Sequence, residues 1–559
     1  MSEHQPPPGT PEYLEQGTGT PLSHPSAPDG VAPPTRGRRR GLWVAGGVVV
    51  LLGAGAGAWA ALSFFRQGAQ PAEALPANTV AYISLDLDPA GGQKLDAFRT
   101  LDKFPAFKHE VGVSSVADLR HKIGYQLVTD AGCSGLDYSR DIDPWLGDRM
   151  AAAAVPLGGD RPHVVVVVQV TDEDQARAGI AKLEKCSGAE HHLGVVVKDG
   201  WATLAESQEV ADEVSTDADK ADLADDATYQ KWTKAVGEAG VVNAYASPDI
   251  GTVLGKELGS VLGGGMFGPG GESFAESESG TVQSSAFHAT PQSAGDPFSQ
   301  ALSTFRGGAA TVRFTGDGLE LAAAGDASSP QLAQLTGRTG GQLVAGLPDD
   351  TAAALSTSFT PGWLEKELDS ATGRLGEGMS KDDIERELSQ ATGLTIPDDI
   401  ETLLGKGVVV SVGKDLDVKA AEGTDDGAGV PVAATVKGDA TAIEQVLGKI
   451  RAKVGDTPLL GSSSSGDLIS VGPSEAYRQH VLAGGDLGGD GTFSDVVPDA
   501  ANANAVLYVN VDALQATIDK ASSGDDPEGL ANLTPLRALG ISSWLDDGVA
   551  RFSLKVSTD

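Results

Sequence analysis

The sequence contains few of the residues that build metal and catalytic sites. There are 2 cysteines, 9 histidines and 4 methionines among 559 residues, and aromatic residues make up 5%. Neither an H-E-x-x-H zinc motif nor a G-x-S-x-G nucleophile motif occurs, and the stretch from Gly407 to Lys414 lacks the spacing of a phosphate-binding loop. We therefore predict no catalytic, cofactor-binding or metal-binding residues, no cofactor and no enzymatic activity.

Basic residues are also scarce. The chain has 41 Lys and Arg against 77 Asp and Glu, which gives a formal net charge of −36. A surface of this sign repels phosphate backbones, so we exclude nucleic acid as a partner.

The many acids also place carboxylates side by side in sequence. Alternating carboxylates are calcium ligands, but the spacing of an EF-hand loop is absent. A calcium site therefore stays an open alternative at the pairs Asp86/Asp88, Asp141/Asp143, Asp349/Asp350 and Asp398/Asp399.

One long uncharged run stands out, from Gly41 to Phe65. At about 1.5 Å per residue a helix of this length exceeds the ~30 Å hydrocarbon core of a bilayer. Four arginines (36, 38, 39 and 40) precede the run and Arg66 alone follows it. The positive-inside rule then predicts a single-pass plasma-membrane protein with a cytoplasmic N-terminus and most of the chain extracellular. A cleaved signal peptide is the alternative.

Residues 1–40, which precede this run, are rich in proline, and we predict a disordered cytoplasmic tail. Within the run, Gly53, Gly57 and Ala61 are spaced four apart and share one helix face. Small residues at this spacing pair transmembrane helices, so a homodimer through these three positions is a further alternative.

Both cysteines, Cys133 and Cys186, follow the membrane run. Exported domains meet oxidising conditions, so we predict a disulfide between them. A metal pair lacks further ligands at a suitable spacing. A catalytic thiol would need a base such as His191 or His192, and a disulfide would quench it.

The sequence resembles itself. Leu75–Thr79 (LPANT) returns as Leu347–Thr351 (LPDDT), and IDPWLG at 142–147 returns as IETLLG at 400–405. Further matches follow in the same order: Trp201–Val214 with Leu468–Val481, Asp226–Tyr229 with Asp490–Phe493, and Arg313-Phe314 with Arg551-Phe552. Ser207 and Ser474 occupy matching places and are suited to cap the helix that follows. We predict two homologous units, residues 71–330 and 341–559, with a disordered insertion at 263–300 in the first.

Within each unit, strand-like runs alternate with amphipathic helical patterns. The predicted fold class is α+β, with a single N-terminal transmembrane helix followed by two homologous α+β units. We expect largely antiparallel or mixed sheets with helices packed on one face. The duplication also allows the two units to share one continuous sheet.

Several of these segments together resemble a known family. The Pro-rich leader, RGRRRG at 36–41, LPANTVAYISLDLDP at 75–89 and GDRMAAAAV at 147–155 are similar to the actinobacterial membrane-anchored proteins of the domain-of-unknown-function 3352 family. The resemblance implies an exported protein of the cell envelope in a high-GC bacterium. It implies no activity and no functional residues.

Three functions remain. The first is a non-catalytic, membrane-anchored extracytoplasmic binding or scaffold protein of the bacterial cell envelope, with the membrane and an envelope protein as partners. The second is a carrier or sensor for an apolar ligand or lipid, which would need an apolar pocket. The third is an envelope enzyme with an unrecognised site, which would show clustered titratable groups of perturbed pKa.

Overall fold

One large antiparallel sheet organises the chain, and the predicted α+β class is confirmed. The structure is a computed structural model. It describes residues 69–107, 125, 133–187, 193–250, 305–328, 337–375, 380–416, 429–521 and 527–559, apart from positions 88, 90, 91, 134, 159, 160, 317 and 456. The predicted tail 1–40, the predicted membrane helix 41–65 and the predicted insertion 263–300 lie outside these ranges. Within them, no helix has the length and apolar character needed to cross a bilayer.

In the part of the chain that the structure describes, sixteen strands form the sheet. In chain order they are β1 (Ala81–Asp86), β2 (Leu146–Val155), β3 (His163–Val170), β4 (Gly194–Lys198), β5 (Trp201–Ala205), β6 (Val242–Ala246), β7 (Gly308–Thr315), β8 (Gly318–Asp326), β9 (Thr351–Ser358), β10 (Gly407–Gly413), β11 (Val432–Lys437), β12 (Ser462–Ser465), β13 (Leu468–Val471), β14 (Ala505–Asn510), β15 (Leu536–Asp546) and β16 (Val549–Thr558).

The α-helices fall between these strands. They are α1 (Gln93–Asp102), α2 (Tyr138–Asp141), α3 (Glu173–Ser187), α4 (Gln208–Lys220), α5 (Ala227–Val236), α6 (Thr339–Ala345), α7 (Trp363–Leu375), α8 (Lys381–Thr392), α9 (Asp398–Leu404), α10 (Ala440–Val454), α11 (Glu475–Ala483), α12 (Gly491–Val496), α13 (Val511–Ala521) and α14 (Pro527–Leu533).

The strand order is β12-β13-β11-β10-β9-β14-β15-β16-β8-β7-β6-β1-β2-β3-β5-β4. The central pair, β8 and β16, is antiparallel and joins the strands of both predicted units into one sheet, with Leu321 opposite Leu554. Outward from this pair, each strand of the first half has its counterpart eight strands later in the second half. The Arg-Phe match does not follow this order. Arg313 lies in β7, whose counterpart is β15, whereas Arg551 lies in β16.

Helices cover both faces of the sheet, so the expectation of helices on one face is wrong. On β2, Ala151 and Ala153 point into a cluster with α4 and α5, whereas Met150 and Ala152 pack in a cluster with α1. Alternate residues of a strand point to opposite faces, so these clusters lie on opposite sides. We call the side of Ala151 face A and the side of Met150 face B. Both the odd and the even positions of these strands carry apolar residues, so burial of both faces by helices is favourable.

The second half repeats this arrangement. On face A, a cluster joins strand residues such as Val409 and Tyr508 to α6, α11 and α12. On face B, α10 packs Ile443 and Leu447 against the ends of β11 and β13. The predicted helix caps Ser207 and Ser474 are confirmed, because each serine oxygen accepts a backbone N–H three residues later at 3.3 Å.

Candidate functional site

Cys133 and Cys186 form a disulfide, which confirms the predicted pair. Their Cα atoms lie 5.3 Å apart, and the bond ties the C-terminal end of α3 to the segment before α2. Cys133 is buried beside Trp145 in an apolar cluster on face B. Because both sulfurs are bonded, neither is a thiol nucleophile. His191 and His192 lie outside the described residues.

Several of the acids considered as calcium ligands are engaged in other interactions. Asp86 receives the Arg149 guanidinium at 3.0 Å, and both residues are buried, so this carboxylate is already neutralised. Asp88 lies outside the described residues. Asp349 accepts the backbone N–H of Asp486 at 3.0 Å. In the described part of the chain, no group of three or more His, Cys, Asp or Glu side chains is placed to hold a metal ion.

Asp141 and Asp399 belong instead to two matching ion pairs. Asp141 contacts the Lys182 ammonium at 2.6 Å, and Asp399 contacts Lys449 at 2.7 Å. Each carboxylate is buried, and each also accepts the backbone N–H of the residue four positions earlier. The pairs therefore fasten α2 to α3 in the first half and α9 to α10 in the second. The sequence analysis considered the two acids but not the two lysines. A signal was present, because Lys182 and Lys449 are separated by 267 positions, the same offset as the serine caps Ser207 and Ser474.

Both carboxylates titrate below the usual range. Hydrogen bonds from Arg140, then from Lys182 and the Asp137 N–H, lower the pKa of Asp141. Burial raises the pKa of Asp399, but Lys449 and the Thr395 N–H outweigh it, so the net pKa is lowered. A carboxylate that stays ionised and paired serves as a structural fastener and has no proton to donate near neutral pH.

Two clefts open on the described surface. The first, of about 450 Å³, is lined by Glu73, Asp199, Trp201, Asp222, Ala224 and Asp225. The second, of about 280 Å³, is lined by Asp349, Asp350, Thr351, Lys414, Asn510 and Ala513. At the second cleft, a hydrogen bond with His480 at 2.8 Å lowers the pKa of Asp350. Both linings are mainly polar, and neither has the apolar walls typical of a lipid pocket.

A described surface with adjacent exposed apolar side chains lies on face B of the second half. Val410, Leu355 and Leu507 stand side by side on β10, β9 and β14, and we call these three the apolar row. Leu355 is 57% exposed and Val410 is 39% exposed. Contiguous exposed apolar patches, when large, are typical of surfaces that bind a partner.

The matching surface of the first half is partly covered. Ile83 and Ala152, the counterparts of Leu355 and Val410, pack in the cluster beneath Ala97 and Leu101 of α1. In the second half, the helix at the place of α1 is α7, and it packs among other helices in a cluster that contains no strand residue. Although α13 contacts β9 and β15, Leu355 and Val410 are more exposed than Ile83 and Ala152 among the described residues. The sequence carried no signal for which face of β9 a distant helix would cover.

A family model described as "Protein of unknown function (DUF3352)" matches residues 44–404, which is more than half of the chain. No curated protein and no solved structure matches the chain. The matched range includes LPANTVAYISLDLDP and GDRMAAAAV, the segments that carry the resemblance in sequence. The chain therefore belongs to the DUF3352 family of proteins of unknown function.

Proposed function

We propose that this chain is a non-catalytic, membrane-anchored binding or scaffold protein of the bacterial cell envelope, and that its apolar row binds an envelope protein. The single observation that carries the proposal is that Leu355 and Val410 are exposed, whereas their counterparts Ile83 and Ala152 are partly buried beneath α1. The uncharged run 41–65 and its arginines support an anchor with a cytoplasmic N-terminus and an extracellular bulk. The RGRRRG and LPANT segments support an actinobacterial origin.

We also propose that the two halves, residues 71–330 and 341–559, arose by duplication. The strand order supports it, and so do the two Asp–Lys pairs. A third match comes from the cores. Tyr229 meets Tyr245 edge to face at 5.1 Å, and Phe493 meets Tyr508 edge to face at 5.0 Å in the matching places.

The partner we propose for the apolar row is an amphipathic helix. The first half supplies the argument, because its covered surface is closed by one face of α1, with Ala97 buried. A helix that places a small residue and a leucine four positions apart fits a surface of this shape. An apolar ligand held on the same row is the rival occupant.

The test is a photo-reactive amino acid placed at Leu355 in the full chain, expressed in membranes of a related bacterium. The matched control places it at Val164, which is also on face B and 45% exposed, but in the first half. We expect a protein adduct from position 355 and none from 164. Mass spectrometry should place the captured peptide in an amphipathic helix, and Val410→Asp should weaken the capture.

Two results would overturn the proposal. A lipid-sized adduct at 355, recovered by organic extraction, would make the protein a carrier of apolar ligands. Equal capture at 355 and 164, or none at either, would remove the apolar row as a binding surface.

A further inference from the structure

The sheet has two outer edges, β4 and β12, and the first is closed. An edge strand exposes a row of backbone N–H and C=O groups that invites another strand to pair. In the β4–β5 ladder, the backbone groups of Val195 and Val197 point away from β5. The Val195 N–H donates to the Gln208 side chain at 3.0 Å, and Gln208 donates back to the Val195 carbonyl at 3.2 Å. The Arg177 guanidinium donates to the Val197 carbonyl. Side chains therefore occupy three of the four outward groups that a foreign strand would use.

The other edge is open. The Gly472 N–H donates to the Gly461 carbonyl, and the alternation of an antiparallel ladder then turns the backbone groups of Ser462 and Ser464 outward. Among the residues that the structure describes, no group bonds to these outward N–H and C=O groups. Ser464 is exposed, so the edge is accessible.

The difference follows from two substitutions between the halves. Gln208 is the first residue of α4, and the first residue of α11 is Glu475. Arg177 is the fifth residue of α3, and the fifth residue of α10 is Glu444. A carboxylate has no N–H to donate to a carbonyl, so neither glutamate can close the edge as its counterpart does.

The open edge is nonetheless ordered. The Ser462 hydroxyl receives Arg451 at 3.0 Å and donates to Glu444 at 2.7 Å, while Arg478 donates to the Ser463 hydroxyl at 3.2 Å. The side chains bonded to β12 are thus two guanidiniums and one carboxylate, on a chain of net charge −36. Arg451 is itself paired with Glu444, so the groups at β12 carry little net charge and add little of the repulsion that the net charge of the whole chain produces.

We propose that β12 pairs with the β12 of a second copy of this chain, antiparallel about a two-fold axis at Ser463. The outward groups of Ser462 and Ser464 then bond to those of Ser464 and Ser462 in the other copy. A two-fold interface needs a self-complementary strand, and four consecutive serines match each other without steric conflict. Four residues form few hydrogen bonds, so the pairing relies on the predicted membrane anchor to keep two copies close.

The test uses Ser463→Cys in the full chain in membranes. Both native cysteines are disulfide-bonded, so the new thiol is the only reactive one. On the proposed axis the two Ser463 Cα atoms would lie about 4.5 Å apart, as in a non-hydrogen-bonded pair, which suits a disulfide. The matched control is Val196→Cys, the same position on the closed edge. Under mild oxidation we expect about tenfold more cross-linked dimer from Cys at 463 than at 196, because side chains block pairing on β4.

Two further variants test the cause. Ser464→Pro, added to Ser463→Cys, removes an outward N–H at an edge position that tolerates proline, and should reduce the dimer to the control level. Glu475→Gln, at an exposed position, restores a blocking side chain and should reduce it as well, which keeps the test valid if the proline variant misfolds. Equal dimer from both cysteine variants, dimer unaffected by both second changes, or no dimer would overturn the proposal.

Discussion

The pairing of Asp399 with Lys449 has an energetic value that follows from its geometry. The Asp399 side chain is 11% exposed and the Lys449 side chain is 46% exposed, with 2.7 Å between them. Removing one partner of a fully buried ion pair costs about 3–5 kcal/mol, and solvent around an exposed lysine reduces that figure. We therefore expect Lys449→Met, which keeps an unbranched stem, to destabilise the contact between α9 and α10 by about 2 kcal/mol.

The assay is amide hydrogen exchange of α9 and α10 in the wild type and the variant at neutral pH. A loss of about 2 kcal/mol corresponds to roughly 30-fold faster exchange through local opening. Lys182→Met is the matched comparison in the first half. Asp141 keeps a second cation there, Arg140 at 2.7 Å, so the acceleration should be smaller. Exchange that is unchanged by Lys449→Met, or accelerated more by Lys182→Met, would refute this account of the pairs.

The same pair predicts a pH dependence. The pKa of Asp399 is lowered in the folded protein. A lowered folded pKa contributes stability that is full above the ordinary Asp value, about 3.9, and is lost as the pH falls through the folded value. The difference in stability between the wild type and Lys449→Met should therefore be largest near pH 7 and should become smaller in acid. A gap that stays constant down to about pH 3 would show that the carboxylate charge is not its source.

Two other predictions concern the cores. Replacing both Cys133 and Cys186 with serine should lower the free energy of unfolding by about 4 kcal/mol in the chain-entropy model, because the bond closes a loop with a sequence separation of 53. The urea midpoint of unfolding measures this loss, and the reduced wild type should unfold at the same midpoint as the variant. Phe493→Ala should lower the free energy of unfolding by about 3–5 kcal/mol, since Phe493 is 0% exposed and packs on Tyr508. Phe493→Leu leaves a smaller cavity and should lower it less, and equal losses from the two variants would show that the cavity is not the cause.

Features that depend on local chemistry were predictable. A serine before an amphipathic run marks a helix cap, and both predicted serine caps form. Two cysteines in a chain expected to be exported allow one intramolecular pairing, and it is present. The α+β class followed from the alternation of strand-like and helical patterns. Each of these signals lies within a few neighbouring residues, or in the number of cysteines, and needs no knowledge of the tertiary fold.

Features that depend on distant contacts were not predictable. The joining of β8 to β16 brings Leu321 opposite Leu554, and nothing near either residue signals the other. Cover on both faces was missed because helical patterns do not show to which side of a sheet a helix returns. The expected Arg-Phe equivalence was wrong for a related reason. A two-residue motif can occur twice by chance, and only the strand order shows that the two copies are not in equivalent strands.

If the halves are duplicates, the positions where they differ carry the information about function. The Asp–Lys pairs and the aromatic pairs recur because each half needs them to hold its own core together. The blocking residue Gln208 does not recur, and Leu355 is more exposed than its counterpart Ile83. Both differences expose surface in the second half: an open strand edge and an apolar row. A fold that only needed to be stable would have gained from keeping both closed, since exposed edges and apolar patches promote aggregation. We therefore infer that the second half makes the intermolecular contacts, and that the first half supports it.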